Sequence, residues 1–364
     1  MHRGPSPDSD GAQRMAYSGR TLIYGAGAVG GYIGALLSMY CPATPLTLLA
    51  RPRFAAGVSE HGLRLQAGDE SLTSRPRVIT SSADSSTYDL IILTVRAFDV
   101  ASSLDDLQRL LAPDGVVVAM QNGVGTEETL ADVLGRERVI AGTLTVSTGM
   151  QNAGTVVRHS SSGGLALASM TDTPPATWVQ DLFAASRLPL EIIADYRRLR
   201  WSKLLLNMLG AATSGVLDID MATLVRHPDL FRVEQLAFRE AVHAMRAQGI
   251  AVVALPSYPV PLARAIMRLP RAPAQGLLAP RLAASRGGRA PKMREDMHRG
   301  RSEIRWLNGA VAHAAASLEE QSPVNAALTA LVLDLTDDPA LQESFRSRPD
   351  RLIEYLREHG ARRL

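Results

Sequence analysis

Gly25-Ala26-Gly27-Ala28-Val29-Gly30 spaces three glycines as GxGxxG, directly after the apolar run Thr21-Leu22-Ile23-Tyr24 and at the opening of a helical stretch. A strand, a glycine turn and a helix N-terminus in that order form a phosphate cradle. The first glycine permits the tight turn, the second lets backbone approach a pyrophosphate, and the third lets helix pack on strand. The helix start adds free N–H groups and the positive end of its dipole. The expected ligand is therefore a dinucleotide, with Gly25, Ala26, Gly27, Ala28, Val29 and Gly30 around it. Such a site for NAD usually carries Asp or Glu at the end of the second strand. Here the second apolar run, Leu46 to Ala50, leads into Arg51-Pro52-Arg53. An arginine grips a 2′-phosphate with two hydrogen bonds where a carboxylate would repel it. That substitution points to NADPH and to Arg51, with Arg53 second; the bland reading is a solvated loop arginine.

Hydride transfer to a carbonyl builds negative charge on oxygen, which a placed proton donor must meet. The chain has two lysines, Lys203 and Lys292, so each invites that question. Lys203 precedes Leu204, Leu205 and Leu206 on a helical pattern, and Asn207 stands one turn further on the same face. Apolar surroundings lower a lysine pKa toward working pH and suit it as a general acid; a snorkelling surface lysine is the alternative. Asn122 follows the run Gly115 to Met120, at the carboxyl edge where open α/β sheets bind ligands, or else it serves an Asn-Gly turn. Glu303 is a candidate site carboxylate, or else an exposed acid at a helix start.

These residues need a scaffold. Strand-like runs at Thr21–Tyr24, Leu46–Ala50, Asp89–Val95 and Gly115–Met120 alternate with helical patterns, one of them over Val100–Leu111. Alternation of this kind gives parallel βαβ units. From Val139 to Met170 the composition suits an antiparallel or mixed edge. Helical periodicity then takes over at Tyr196–Asn207, Glu234–Gln248, Arg301–Leu318 and Val324–Leu335. The expected architecture is an α/β Rossmann domain, doubly wound with a mostly parallel sheet, over 21–194, followed by an all-α domain over 195–364 for substrate and dimerisation. Residues 1–20 read as a disordered leader, within which Met15 is an alternative start. The Pro-, Arg- and Gly-rich stretch Leu255–Arg289 reads as a helix-and-loop excursion ending in a mobile Gly-rich run.

Composition narrows the class. With 46% hydrophobic and 21% charged residues the chain has the balance of a soluble globular protein. A net charge of +3 is too small to argue for nucleic acid. Cys41 is the only cysteine, which excludes an internal disulfide and suits a reducing cytoplasm. No apolar run approaches the roughly 20 residues that span a bilayer. His298 and His313 lack partners at metal-ligand spacing, so no metal is expected. The arginines between Arg264 and Arg301 read as a solvated helical face.

From Leu22 to about Leu335 the chain resembles the ketopantoate reductase (2-dehydropantoate 2-reductase) family. The resemblance rests on the glycine motif with Leu49-Ala50-Arg51, then Gln121-Asn122-Gly123-Val124-Gly125, Trp201-Ser202-Lys203 through Asn207, Ser302-Glu303-Ile304 with Leu307-Asn308-Gly309, and Ser322-Pro323-Val324-Asn325. It implies NADPH-dependent reduction of a 2-oxo acid or related ketone in a cleft between the two domains; the chain itself is expected to be a monomer or homodimer, with a small carbonyl compound as its partner. It further implies that Lys203 is the general acid, that Glu303 orients the substrate, that Asn122 lies at nicotinamide and substrate, and that Asn207 holds substrate. Arg96 stands where the family has a cofactor-binding lysine. Two departures bear on the substrate: Ala211 replaces a second asparagine, and Lys292 is the nearest match to a carboxylate-binding serine. The alternatives are a reductase of another acceptor, such as an imine or a natural-product ketone, and a non-catalytic NADPH-binding protein. Retention of both Lys203 and Glu303 argues against the last.

Overall fold

The computed structural model describes residues 17–83, 86–286 and 291–364. Most of the expected leader and most of the Gly-rich run after Ser285 lie outside the described residues.

The strands are β1 (Thr21–Tyr24), β2 (Leu46–Leu49), β3 (Leu63–Ala67), β4 (Glu70–Ser74), β5 (Arg77–Ile79), β6 (Tyr88–Leu93), β7 (Leu111–Ala119), β8 (Val139–Leu144), β9 (Thr148–Asn152), β10 (Thr155–Arg158), β11 (Leu165–Ser169) and β12 (Leu190–Ile192). Eight of them form the main sheet in the order β12-β11-β8-β7-β6-β1-β2-β5. All neighbours from β5 to β8 run parallel. Both faces of this stretch are covered, which is why β1, β6 and β7 read as unbroken apolar runs; Ile23, Ile92 and Val118 have no exposed surface. The chain leaves β1 in one direction toward β2 and β5 and returns to add β6, β7 and β8 on the other side. The reversal falls between β1 and β6, so the ligand crevice of such sheets opens at their carboxyl ends. At the far edge β11 runs antiparallel to β8, as the composition there leads one to expect.

The helices of this half are α1 (Ala28–Tyr40), α2 (Pro52–His61), α3 (Leu104–Leu110), α4 (Thr126–Leu134) and α5 (Thr177–Ala185). A second sheet, β4-β3-β10-β9, covers the outer side of α1. A Cβ at Gly31 would stand 2.7 Å from Val156 and 3.3 Å from Phe54, so α1 is pressed between two layers.

From α6 (Tyr196–Met208) the chain is helical: α7 (Ala211–Leu217), α8 (Met221–Arg226), α9 (Pro228–Ala247), α10 (Val260–Met267), α11 (Arg271–Arg286), α12 (Lys292–Met297), α13 (Asn308–Ala316), α14 (Pro323–Asp337), α15 (Pro339–Phe345) and α16 (Pro349–Glu358). Asp195 caps α6 by accepting from the N–H groups of Arg197 and Arg198. Leu204 and Leu205 pack in one core with Ala141, Ala166 and Ala168 of the sheet, which seats α6 on β8 and β11. One expectation needs correction: Arg301–Leu318 is not a single helix. A 3₁₀ turn, Ile304–Trp306, precedes α13; Leu307 between them leaves helical geometry (φ −103°, ψ −106°), and the Trp306 carbonyl accepts from the distant Val124 N–H at 3.0 Å. Among the described residues no helix is long and apolar enough to cross a membrane.

Candidate active site

Each glycine of the cradle meets a different constraint. Gly25 has φ +96°, and a Cβ there would lie 2.6 Å from the Val95 side chain; only glycine turns the chain at this point. The turn is fixed by the Gly25 and Ala26 N–H groups, both donating to Leu49 O at 3.1 and 2.8 Å, and by Thr94 Oγ1 donating to Gly25 O at 2.9 Å. A Cβ at Gly30 would meet Thr94 Oγ1 at 2.5 Å and Ile23 at 2.8 Å, so α1 could not approach β1 as it does. Gly27 is different. It has an ordinary φ of −124°, and a Cβ there would meet only Gly25 O, at 3.9 Å. Its place as the N-cap of α1 favours glycine modestly, but side-chain crowding does not demand it; a pyrophosphate lying against the backbone would. The N-terminus of α1 has neither a side-chain cap nor an acidic first turn, which leaves its donors and dipole for an anion. These features fit a dinucleotide. Arg51 follows β2 as the exposed residue leading into α2.

Lys203 and Asn207 project from α6 toward the carboxyl edge of the sheet. Lys203 Nζ donates to Leu144 O, the last residue of β8, at 3.1 Å. Asn207 Nδ2 donates to Asn122 Oδ1 at 2.9 Å, so two of the expected site residues from opposite halves touch. Asn122 is otherwise exposed, and Gln121 beside it donates to Leu93 O and Val95 O at 2.9 and 3.2 Å. The next residue, Gly123, has φ +93°, and a Cβ there would sit 2.4 Å from Trp306 O. The loop after β7 thus lies directly on the turn that carries Glu303.

Glu303 is 5% exposed. One carboxylate oxygen pairs with Arg96 at 2.9 Å, and the other accepts from the Ala97 N–H at 3.2 Å. Burial pushes its pKa up; Arg96 and the Ala97 N–H oppose the shift. Arg96 also pairs with Asp296, whose pKa burial likewise raises against the pull of Arg96. Lys292 begins α12 and lowers the pKa of both acids through its charge, which puts it beside this cluster. Arg96 thus faces two carboxylates across the cleft, with Lys292 on their own side of it, and here the Arg96 guanidinium is engaged by acids of the helical half. The contact continues outward: Arg301 pairs with Asp99 at 3.2 Å, and the guanidinium carbons of Arg96 and Arg301 lie 5.7 and 5.5 Å from the Phe98 ring centroid.

Sequence reasoning overlooked Asp296, Arg200 and Glu127. Arg200 is 2% exposed and Glu127 is fully buried, and the two form an ion pair between α6 and α4. The available signal was position, since Arg200 stands one turn before Lys203. The Leu307-Asn308-Gly309 and Ser322–Asn325 blocks serve the scaffold instead: Asn308 Nδ2 donates to Asn325 Oδ1 at 2.9 Å, and Asn325 Nδ2 donates to Glu240 and to Ala237 O.

Two family models match this chain: Ketopantoate reductase PanE/ApbA over residues 21–172 and Ketopantoate reductase PanE/ApbA C terminal over residues 195–336. The chain is similar to the 2-dehydropantoate 2-reductase of Halobacterium salinarum, with 28% identity over 86% of this chain and 97% of that protein. It is also similar to that of Archaeoglobus fulgidus, with 24% identity over 86% and 96% of the two chains. Among solved structures, a PanE/ApbA family ketopantoate reductase from Ralstonia eutropha JMP134 superposes with a TM-score of 0.73 and 27% identity, covering 87% of this chain and 98% of that one. D-mandelate dehydrogenase, solved with NADH and anilino(oxo)acetate, shares the fold with a TM-score of 0.72 and 21% identity over 87% and 98% of the chains.

Proposed function

The chain belongs to the ketopantoate reductase PanE/ApbA family of oxidoreductases acting on a ketone, and we propose that it reduces a 2-oxo acid or related carbonyl with NADPH, Lys203 giving the proton. The observation that carries this reading is the meeting of Lys203, Asn207 and Asn122 at the carboxyl edge of the sheet, the edge on which the Gly25–Gly30 cradle opens. The dinucleotide supplies the hydride. The remaining work falls to this chain. Gly25, Ala26, Gly27, Ala28, Val29 and Gly30 hold the pyrophosphate, and Arg51 takes the 2′-phosphate. Asn122 and Asn207 hydrogen-bond the substrate. An ammonium has three donors; the one given to Leu144 O fixes where Nζ sits, and the proton for the carbonyl oxygen leaves from that nitrogen. Glu303, held by Arg96 and Ala97, accepts a hydrogen bond from a substrate hydroxyl.

Ala211 and Lys292 favour a second version of this reading, in which the acceptor differs from ketopantoate. One experiment addresses both: follow NADPH absorbance with purified protein and a panel of 2-oxo acids that includes ketopantoate, then repeat with NADH. Turnover of at least one acid, faster with NADPH, is expected. No oxidation of NADPH with any member, or equal rates with NADH, would overturn the corresponding half of the proposal.

A further inference from the structure

Lys203 and Asn122 come from different halves of the chain, so something must fix the distance between them. Arg200, one turn before Lys203, touches both sides. Its Nη1 donates to Gln121 O at 2.7 Å and to Gly142 O at 3.0 Å, and its Nη2 to Ala119 O at 3.3 Å. Gln121 O belongs to the peptide group that leads into Asn122. Gly142 lies two residues before Leu144, the acceptor of Lys203. Glu127, in the first turn of α4, holds the same guanidinium by an ion pair. One side chain thus gathers the ends of β7 and β8 and the start of α4 under the helix that carries the proton donor.

Packing provides only part of this restraint. Gly123 lies against Trp306, and the Val124 N–H donates to its carbonyl, but these contacts tie the loop to the turn after Glu303 and not to the helix that carries Lys203. On the α6 side a cavity of about 420 Å³ opens beside the loop, lined by Val124, Gly125, Glu127, Arg200, Trp201 and Trp306 among others. Nor is stability a sufficient reason for the pair, since desolvation of two buried charges consumes much of their attraction. What an arginine supplies that an apolar residue cannot is a planar fork that reaches several carbonyls at once.

We infer that Arg200, held by Glu127, is a positioning residue that sets Asn122 and Lys203 at their working separation. The inference rests on the reductase reading above. Its test is the double variant Arg200→Met with Glu127→Leu, which removes both charges together and leaves none buried alone. Removal of both charges together is often neutral, while the carbonyls of Gln121, Gly142 and Ala119 lose a donor, which destabilises. We expect a cooperatively folded variant with a lowered melting temperature, an unchanged NADPH affinity by fluorescence titration and, measured well below that melting temperature, a kcat lower by about 10²-fold, the scale of a small misplacement of reacting groups. KM should move much less. Amide hydrogen exchange over 121–125 should speed up. A folded double variant whose kcat stays within about threefold of the parent, well short of that misplacement scale, overturns the inference. Should the double variant not fold, Arg200→Lys keeps the charge beside Glu127 yet reaches fewer carbonyls, and it must show the same loss of kcat. If the parent reduces no 2-oxo acid, the reductase reading fails, and exchange over 121–125 still decides the brace: equal protection in parent and variant overturns it.

Discussion

Three side chains carry the proposed chemistry. Lys203 Nζ donates to the Leu144 carbonyl at 3.1 Å, and its replacement by alanine would remove the proposed proton donor without touching the cradle. Lys203→Ala should lower kcat by about 10²–10⁴, the usual worth of a positioned acid, with NADPH binding unchanged in a fluorescence titration; near-normal turnover would refute the role. Arg51 should matter only for the cofactor. Arg51→Ala is expected to weaken NADPH by about 10- to 100-fold, the worth of roughly 1.5–3 kcal/mol for hydrogen bonds to a charged group, while NADH binding stays as it was. Equal loss for both cofactors would move the 2′-phosphate contact elsewhere. Glu303 carries a pH signature. Burial raises its pKa, and Arg96 and the Ala97 N–H pull it back only in part. The folded chain therefore holds that proton more tightly than the unfolded chain. The resulting stability is fully present below the ordinary carboxylate range and is lost as pH rises through the folded value. Glu303→Gln has no proton to lose, so the melting-temperature gap between parent and variant should narrow as pH rises through that window. A gap that widens instead would mean that the Arg96 ion pair outweighs burial.

At the level of elements, the cradle separates what the fold needs from what the ligand needs. Gly30→Ala drives a Cβ into Ile23 and Thr94 and should destabilise by about 1–3 kcal/mol, as overpacked core sites do. Gly27→Ala meets only a carbonyl oxygen at 3.9 Å and should leave the melting temperature nearly unchanged while NADPH binding weakens sharply. The opposite pattern, a destabilised Gly27→Ala chain that binds NADPH normally, would remove the pyrophosphate from this turn. The same elements show what was readable in advance. The strand, glycine turn and helix at Thr21–Tyr40 declare themselves because apolar run, turn and helix start are adjacent in sequence. So do β2, β6, β7 and α6, whose patterns are local. The second sheet does not. β4 is Glu70-Ser71-Leu72-Thr73-Ser74, polar and mostly exposed; β3 pairs with it directly, but the other half of the sheet is supplied by a partner far along the chain, β10. The break after Arg301 was equally hidden, since the turn there packs on a loop distant in sequence, with the Val124 N–H bonded to its Trp306 carbonyl. Of the candidate site, Lys203, Asn207 and Asn122 stood out in the sequence by residue type, spacing and resemblance to the family. Arg200 looked like any arginine on a helix until the strand ends it binds were in place.

For the whole molecule the question is what enters between the halves. They meet along α6 in a shared apolar core, and at the cleft through Arg96 with Asp296 and Glu303 and through Asp99 with Arg301. In the proposed reading the substrate would meet Lys203, Arg96 and Lys292 as cations and Glu303 and Asp296 as acids. The two departures from the family pattern belong to neighbouring elements. Ala211 opens α7 and Lys292 opens α12, and these helices are in contact, for a Cβ at Gly215 would stand 2.8 Å from Met293. Alanine in place of an asparagine removes an amide and leaves apolar room. Lysine in place of a serine exchanges a neutral hydroxyl for a cation already drawn toward two acids. A site that has lost a hydrogen-bonding partner leaves the matching substrate group unpaired, at about 1–3 kcal/mol for each buried polar group. Ketopantoate is therefore expected to be a poor substrate, and a 2-oxo acid or related ketone with more apolar bulk a better one. The measurement is kcat/KM across the panel with NADPH. A value for ketopantoate above about 10⁴ M⁻¹s⁻¹, the low end of ordinary enzymes, would show that neighbouring groups have replaced the lost contacts and that the family's usual reaction stands. Below it, Ala211→Asn should restore part of the ketopantoate activity at the expense of the bulkier acid, because it returns the amide and fills the space that the alanine leaves.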